Sequence, residues 1–311
     1  MSSWSSKLAR VSLPPAKGVA EPLAAAFERK VGAAELPSDP RLRLDALRAR
    51  IASLLTKSAP ESAPKPVADP SFGDLPFARE DTPSGPLYVR RRRLGWGHRV
   101  GRAAVHAGAN ASSAMLALLA LDPALADVDP SRALYIDTET TGLAGGTGTV
   151  PFLIGLAWYE VGSATLVIEQ LLLRELGEEA PMLERLAARA TCASMWVSYN
   201  GKSFDLPRLR ARLVLERLPA LAALPHLDLV HVARRVHRHR LAQLTLARVE
   251  SEVLGFERVG DISGGDVCAR YTHFLRTGDD SALAAVVDHN EWDVVSMAAL
   301  VGLYGEPIEG L

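Results

Sequence analysis

Two spacings of apolar residues alternate along this chain. Leu134-Tyr135-Ile136, Pro151 to Tyr159, Ala164 to Leu172 and Met195 to Tyr199 are short apolar runs that predict strands. Elsewhere apolar positions fall three and four apart, predicting helices over Glu178 to Ala190, Pro207 to Leu218, Leu244 to Leu254, Asp266 to Leu275 and Ser281 to Leu303. The turn Glu160-Val161-Gly162-Ser163 joins the second and third runs, so the first three strands form a sheet in chain order. Leu227-Asp228-Leu229-Val230 reads as a final strand, followed by a His- and Arg-rich stretch from His231 to Arg240. The pattern is that of an α/β protein, a mixed sheet flanked by helices.

Upstream the pattern thins. Residues 1–75 are an Ala/Pro-rich extension with one amphipathic helix, Arg41 to Lys57, whose stripe is Leu44, Leu47, Ile51, Leu54 and Leu55; Ser58 to Pro70 reads as a semi-rigid linker. Residues 76–130 carry a strand, Pro86-Leu87-Tyr88-Val89, that runs into Arg90-Arg91-Arg92-Arg93, then Trp96, His98, Arg99 and Arg102. A buried helix from Ser112 to Leu121 follows and stops at Asp122-Pro123. Residues 131–311 hold the alternating pattern and form the main domain. The arginine run is either a solvated face or a phosphate-contact surface on which Trp96 stacks a base.

Composition narrows the class without choosing a function. With 311 residues and 48% hydrophobic content the chain can bury a substantial core. Its 35 Lys and Arg against 36 Asp and Glu give a net charge of −1, so no global field draws it to nucleic acid or membrane. A polyanion must be met by a local patch or by bound cations. Cys192 and Cys268 show neither zinc spacing nor a disulfide framework, the N-terminus lacks a signal-like apolar stretch, and no apolar run approaches the roughly 18 residues of a membrane span. These features lead us to expect a cytoplasmic protein, without membrane contact or an obligate protein partner.

The candidate chemistry begins at the first strand. In Asp137-Thr138-Glu139 the two acids point the same way, because strand side chains alternate between faces. Such a pair is either a solvated strand end or a site for a hard cation whose charge cancels the repulsion. Gly142 to Thr149 is glycine-rich but lacks the Lys-Ser/Thr ending of a phosphate-binding loop. Midway, Asn200-Gly201-Lys202-Ser203-Phe204-Asp205 precedes a helix, where Asp205 taken alone reads as a cap. Asp228 is either a helix-start group or a group beside the cavity. On the last helix His289 and Asp293 stand four apart and share a face, whereas Asp288 and Glu291 fall elsewhere and are expected in solvent.

Taken together, Asp137 and Glu139, then Asn200 with Phe204 and Asp205, then His289 with Asp293 resemble the DEDD superfamily of metal-dependent exonucleases with a ribonuclease H-like fold, over about Ala133 to Leu303. The run Asp137-Thr138-Glu139-Thr140-Thr141-Gly142-Leu143-Ala144-Gly145-Gly146-Thr147-Gly148-Thr149, with Val253-Leu254-Gly255 and His289-Asn290, is similar to the YprB-like branch. The resemblance implies two Mg2+ or Mn2+ ions. Asp137 would bridge both, Glu139 and Asp293 would hold the ion that binds the attacking water, Asp205 would support the second, and His289 would accept the water's proton. It further implies 3′–5′ hydrolysis of single-stranded DNA or RNA, with Thr140, Gly142, Leu143, Asn200, Lys202 and Phe204 meeting the substrate. The histidine stands one position closer to the last aspartate than in the histidine branch of that superfamily, which leaves open that it only orients the water. A non-catalytic nucleic-acid-binding protein and a hydrolase of short oligonucleotides are the alternative readings.

Overall fold

The computed structural model describes residues 75–142 and 149–306. The amphipathic helix at Arg41 to Lys57, the linker at Ser58 to Pro70 and the centre of the glycine-rich loop, including Leu143, lie outside the described residues.

The strands are β1 (Ala78–Thr82), β2 (Gly85–Leu94), a short hairpin β3 (Arg99–Val100) and β4 (Ala103–Ala104), β5 (Ala133–Thr140), β6 (Pro151–Tyr159), β7 (Leu166–Leu172), β8 (Met195–Ser198) and β9 (His226–Asp228). Seven of them form one sheet in the order β1-β2-β7-β6-β5-β8-β9. β5, β6 and β7 pair antiparallel as the turn chemistry predicts, and β8 and β9 run parallel to β5. The helices are α1 (Ser113–Ala120), α2 (Ala180–Ala190), α3 (Asp205–Leu215), α4 (Leu229–His237), α5 (Leu246–Val249, continued by a π turn to Leu254), α6 (Gly264–Thr277) and α7 (Ala284–Tyr304).

Strand alternation sorts the core into two layers. Tyr135 of β5, Ala157 of β6 and Ile168 of β7 face one cluster with α4 and the C-terminal part of α7. Leu134, Ile136 and Leu171 face the other, with α2, α3 and α6. The sheet is thus covered on both sides, and the fold is the expected ribonuclease H-like mixed sheet flanked by helices.

Several sequence expectations need correction. The last strand ends at Asp228, and Leu229 already begins α4, because the Asp228 carboxylate accepts from the Val230 amide and starts the helix. The helix before β5 is only partly covered: Leu116 and Ala117 are buried while Leu118 and Leu121 are exposed.

The arginine run is no free phosphate surface. Its period of two splits it across the sheet, so that Arg90 and Arg92 reach Glu291 on α7 while Arg91 meets the fully buried Glu169, 2.6 Å away, beside Arg185 and Arg189 of α2. Arg93 pairs with Glu160. Glu291, expected in solvent, is therefore buried, and its charge is held by two guanidinium groups. Trp96 remains exposed and stacks on His106 at a ring separation of 3.7 Å.

Candidate active site

β5 and α7 build most of the site between them. Asp137 and Glu139 continue the face of Tyr135 beyond the apolar part of β5, and a register shift after Glu139 marks where the strand leaves the sheet. Asp137 lies opposite Gly155 on β6, which lies opposite Gln170 on β7. Asn290, fully buried on α7, lies over that glycine. Its amide donates to Asp137 Oδ2 at 2.8 Å, and its carbonyl accepts from Gln170 Nε2 at 3.0 Å.

Gln170 also donates to the Val287 carbonyl at 2.7 Å, so the network has few free bonds. A Cβ on Gly155 would stand 2.3 Å from Asn290 Oδ1. Gly155→Ala is accordingly expected to cost about 1–3 kcal/mol by overpacking and to lower any activity that depends on a fixed Asp137. Chemical denaturation beside an activity assay checks both, and an unchanged midpoint would contradict the packing described.

Asp205 arrives from the other layer. Phe204 rather than Asp205 occupies the N-cap position of α3 and makes no side-chain cap bond, which corrects the capping expectation. The Asp205 carboxylate instead accepts from the Thr138 hydroxyl of β5. Its loop is held by Asp228, whose carboxylate accepts from the amides of Asn200 at 2.6 Å and Lys202 at 3.0 Å, with Asn200 in the left-handed region at φ 71°. Gly201 packs where a Cβ would come within 2.9 Å of Asp205 Oδ2.

His289 and Asp293 face the same cluster from α7. The imidazole Nε2 is 4.0 Å from Glu139 Oε1 and 3.8 Å from Asp293 Oδ2, and Nδ1 is 2.6 Å from Asp261 Oδ1. Arg258, almost fully buried, binds Asp293 Oδ1 and forms a two-pronged pair with Glu250 at 2.6 and 2.7 Å.

Burial and mutual repulsion set the charge state. Burial first, then Asp293, Glu139 and Asp205, push Asp137 well above the usual carboxylate range, against the Asn290 bond. Burial likewise raises Glu139 to about 7 despite His289, and Asp205 to about 6 despite the Thr138 bond. Burial alone would lower His289, but Asp293, Asp261 and Glu139 outweigh it and the net shift is upward.

Without metal, a carboxylate whose folded pKa exceeds its unfolded value binds more protons in the fold, so its contribution to stability falls as pH rises between the two values. For Glu139 that window runs from about 4 to about 7. In EDTA, the stability of wild type relative to Glu139→Gln is expected to fall across it by at most about 1.4 kcal/mol per pH unit, seen as a falling Tm relative to the variant. A relative Tm that rises with pH would contradict this.

Oxygen-rich and mutually repelling, the donor set fits a hard divalent cation, whose charge would offset what burial and crowding cost. As the side chains stand, no group of three or more His, Cys, Asp or Glu among the described residues is close enough to hold one, and Asp293 Oδ1 is engaged by Arg258.

Thr140 donates to the Gly142 carbonyl at 3.2 Å, the Lys202 amine stands 3.8 Å from Asp122, and Phe204 is 45% exposed with the Arg208 guanidinium 4.9 Å above its ring.

The family model described as RNase_H superfamily matches residues 134–304, more than half of the chain. The chain belongs to the RNase_H superfamily. Over 172 residues, 55% of its length, it is 38% identical to the uncharacterized protein YprB of Bacillus subtilis strain 168, of which it spans 41%. Among solved structures it is similar to a family B DNA polymerase of the hyperthermophilic archaeon Pyrobaculum calidifontis (15% identity, TM-score 0.43, 54% of this chain and 24% of that one). It is also similar to Brucella melitensis NrnC bound to pGG (18% identity, TM-score 0.29, 58% of this chain and 86% of that one). At those scores neither likeness bears on the residues of the site. No helix among the described residues is long and apolar enough to cross a membrane.

Sequence reasoning missed Arg258, Asp261, Gln170 and Gly155. Arg258 and Asp261 lie in an irregular stretch without periodicity, and Gln170 sits inside an apolar run. A polar residue at an inward strand position was the only available signal, and it marked Gln170 alone.

Proposed function

We propose that this chain is a DEDD-type 3′–5′ exonuclease that hydrolyses single-stranded DNA or RNA with two Mg2+ or Mn2+ ions held by Asp137, Glu139, Asp205 and Asp293. What supports this most is that Glu139, Asp205 and Asp293, from three distant segments, all act on the Asp137 charge, while His289 Nε2 stands 4.0 Å from Glu139 and 3.8 Å from Asp293. When bound, such ions activate the attacking water and offset charge on the leaving oxygen. His289 Nε2 takes the water's proton, Asn290 holds Asp137 in place, and the exposed Phe204 ring offers a stacking surface to a base. The 3′ polarity and the cytoplasmic setting rest on the resemblance and the composition.

A 5′-labelled single-stranded oligonucleotide incubated with Mg2+, with Mn2+ or with EDTA tests the reading. A ladder shortening from the 3′ end that EDTA abolishes is expected. Binding without cleavage would favour the non-catalytic reading and overturn this one. One observation favours short substrates over long ones: the densest basic run is consumed by internal pairs with Glu169, Glu291 and Glu160. A shallow dependence of binding on salt would then accompany cleavage.

A further inference from the structure

Asp261 lies in the irregular stretch between the π turn and α6, and its Oδ1 stands 2.6 Å from His289 Nδ1. A neutral imidazole has one N–H and one lone pair, and a carboxylate can only accept, so this short contact requires the proton on Nδ1. Arg258 Nη1, also a donor, is 3.3 Å from the same nitrogen. Both cannot be satisfied there, and the nearer carboxylate decides. Nε2 is then left as the free lone pair, on the side of Glu139 at 4.0 Å and Asp293 at 3.8 Å.

The stretch that carries Asp261 is itself anchored. Arg258, with 3% of its side chain exposed, binds the fully buried Glu250 with two nitrogens and stands 3.5 Å from Asp261 Oδ2. The Ile262 amide donates to Asp261 Oδ1 at 2.8 Å, so backbone and Arg258 together hold the carboxylate that faces the imidazole.

We propose that Asp261 is a positioning residue for His289, fixing the ring's rotation and its Nδ1–H tautomer so that Nε2 is the nitrogen that accepts a proton in the site. This rests on the reading of His289 as the proton acceptor. It also accounts for how a histidine set on α7 four residues before Asp293 presents the correct nitrogen. The step is a single proton transfer: water's proton moves to the Nε2 lone pair, the imidazole becomes a cation with N–H on both nitrogens, and the Asp261 carboxylate stabilises that charge without taking the proton.

The test reads the tautomer directly in the full-length chain. Long-range proton–nitrogen spectra of 15N-histidine-labelled protein are recorded in EDTA at alkaline pH, where the ring is neutral. The His289 signal among the eight histidines is assigned by its loss in His289→Gln. Wild type is expected to show Nδ1–H. In Asp261→Leu, which offers no acceptor, Nδ1 faces only the Arg258 donor at 3.3 Å, and His289 is expected to switch to Nε2–H.

In the same variant kcat is expected to fall on the order of 10²-fold or more, by analogy with the histidine of serine proteases held in the wrong tautomer. KM should stay within about threefold, and Asp261→Glu should regain part of the lost kcat. Signals of His226, which bonds Ser198 at 2.8 Å, and of His237, which bonds Tyr304 at 3.0 Å, report that the fold is intact.

Nε2–H in wild type, or an unchanged tautomer in Asp261→Leu, overturns the proposal whatever the activity. Failure of the wild-type protein to cleave any nucleic acid overturns the nuclease reading instead, and the spectra still decide the role of Asp261.

Discussion

Asp137→Asn is expected to lower metal-dependent phosphodiester hydrolysis by on the order of 10³-fold, about 4 kcal/mol of transition-state stabilisation, while raising the Tm of the metal-free protein. The two signs follow from one position. Asp137 stands where Asp293, Glu139 and Asp205 all repel it, and burial adds to that repulsion. Removing its charge relieves the apo fold and still leaves an oxygen to accept the Asn290 amide, a bond of 2.8 Å in wild type. The same change removes one of the carboxylates that would hold the ions. The rise in Tm that Mn2+ produces by binding only the folded state should therefore shrink with the activity. Differential scanning fluorimetry with and without EDTA, beside the oligonucleotide assay, separates this from unfolding. A variant that is less stable in EDTA, or that cleaves at the wild-type rate, would break the link between electrostatic crowding and function.

The parts of the site that regular periodicity carries were legible in the sequence. Strand alternation placed Asp137 and Glu139 on one face of β5, and helical spacing placed His289 and Asp293 on one face of α7; the structure brings the two faces together. Asp205 was legible as a member of a motif but not as a partner of Thr138, because that bond joins residues 67 apart in sequence.

The arginine run shows where local reading fails. Four consecutive cations look like one surface, yet a strand sends alternate side chains to opposite faces, where Glu291 awaits two of them and Glu169 a third. Those acids lie on α7 and β7, and nothing in the local sequence announces them. Glu291 was misread for the same reason from the other end, since a helix position off the catalytic stripe can still face a neighbouring strand. Arg258 and Asp261 were invisible altogether, because the structure around them has no period for a pattern to follow.

Arg258→Met is expected to destabilise the protein by about 3–5 kcal/mol, the cost of leaving a buried charge without its partner, or a Tm lower by roughly 10 °C. The guanidinium has 3% of its surface exposed and Glu250 has none, so no water can replace what is lost. Arg258→Lys should recover little, because one ammonium cannot reproduce the two-pronged bond to Glu250 while also reaching Asp293.

The pH dependence identifies the cause. Burial already pushes Glu250 upward in wild type, against the pull of Arg258, and without Arg258 that opposition disappears. A carboxylate raised further in the fold contributes less stability as pH climbs. The gap between wild type and Arg258→Met should therefore be smallest near pH 5 and widen toward neutrality. Replacing Glu250 as well, in Arg258→Met with Glu250→Gln, should return part of the loss, since the double variant has no orphaned charge at that position. If the single variant keeps wild-type stability, or its deficit shrinks as pH rises, Arg258 is not the counter-ion that holds Glu250, Asp293 and the Asp261 stretch together.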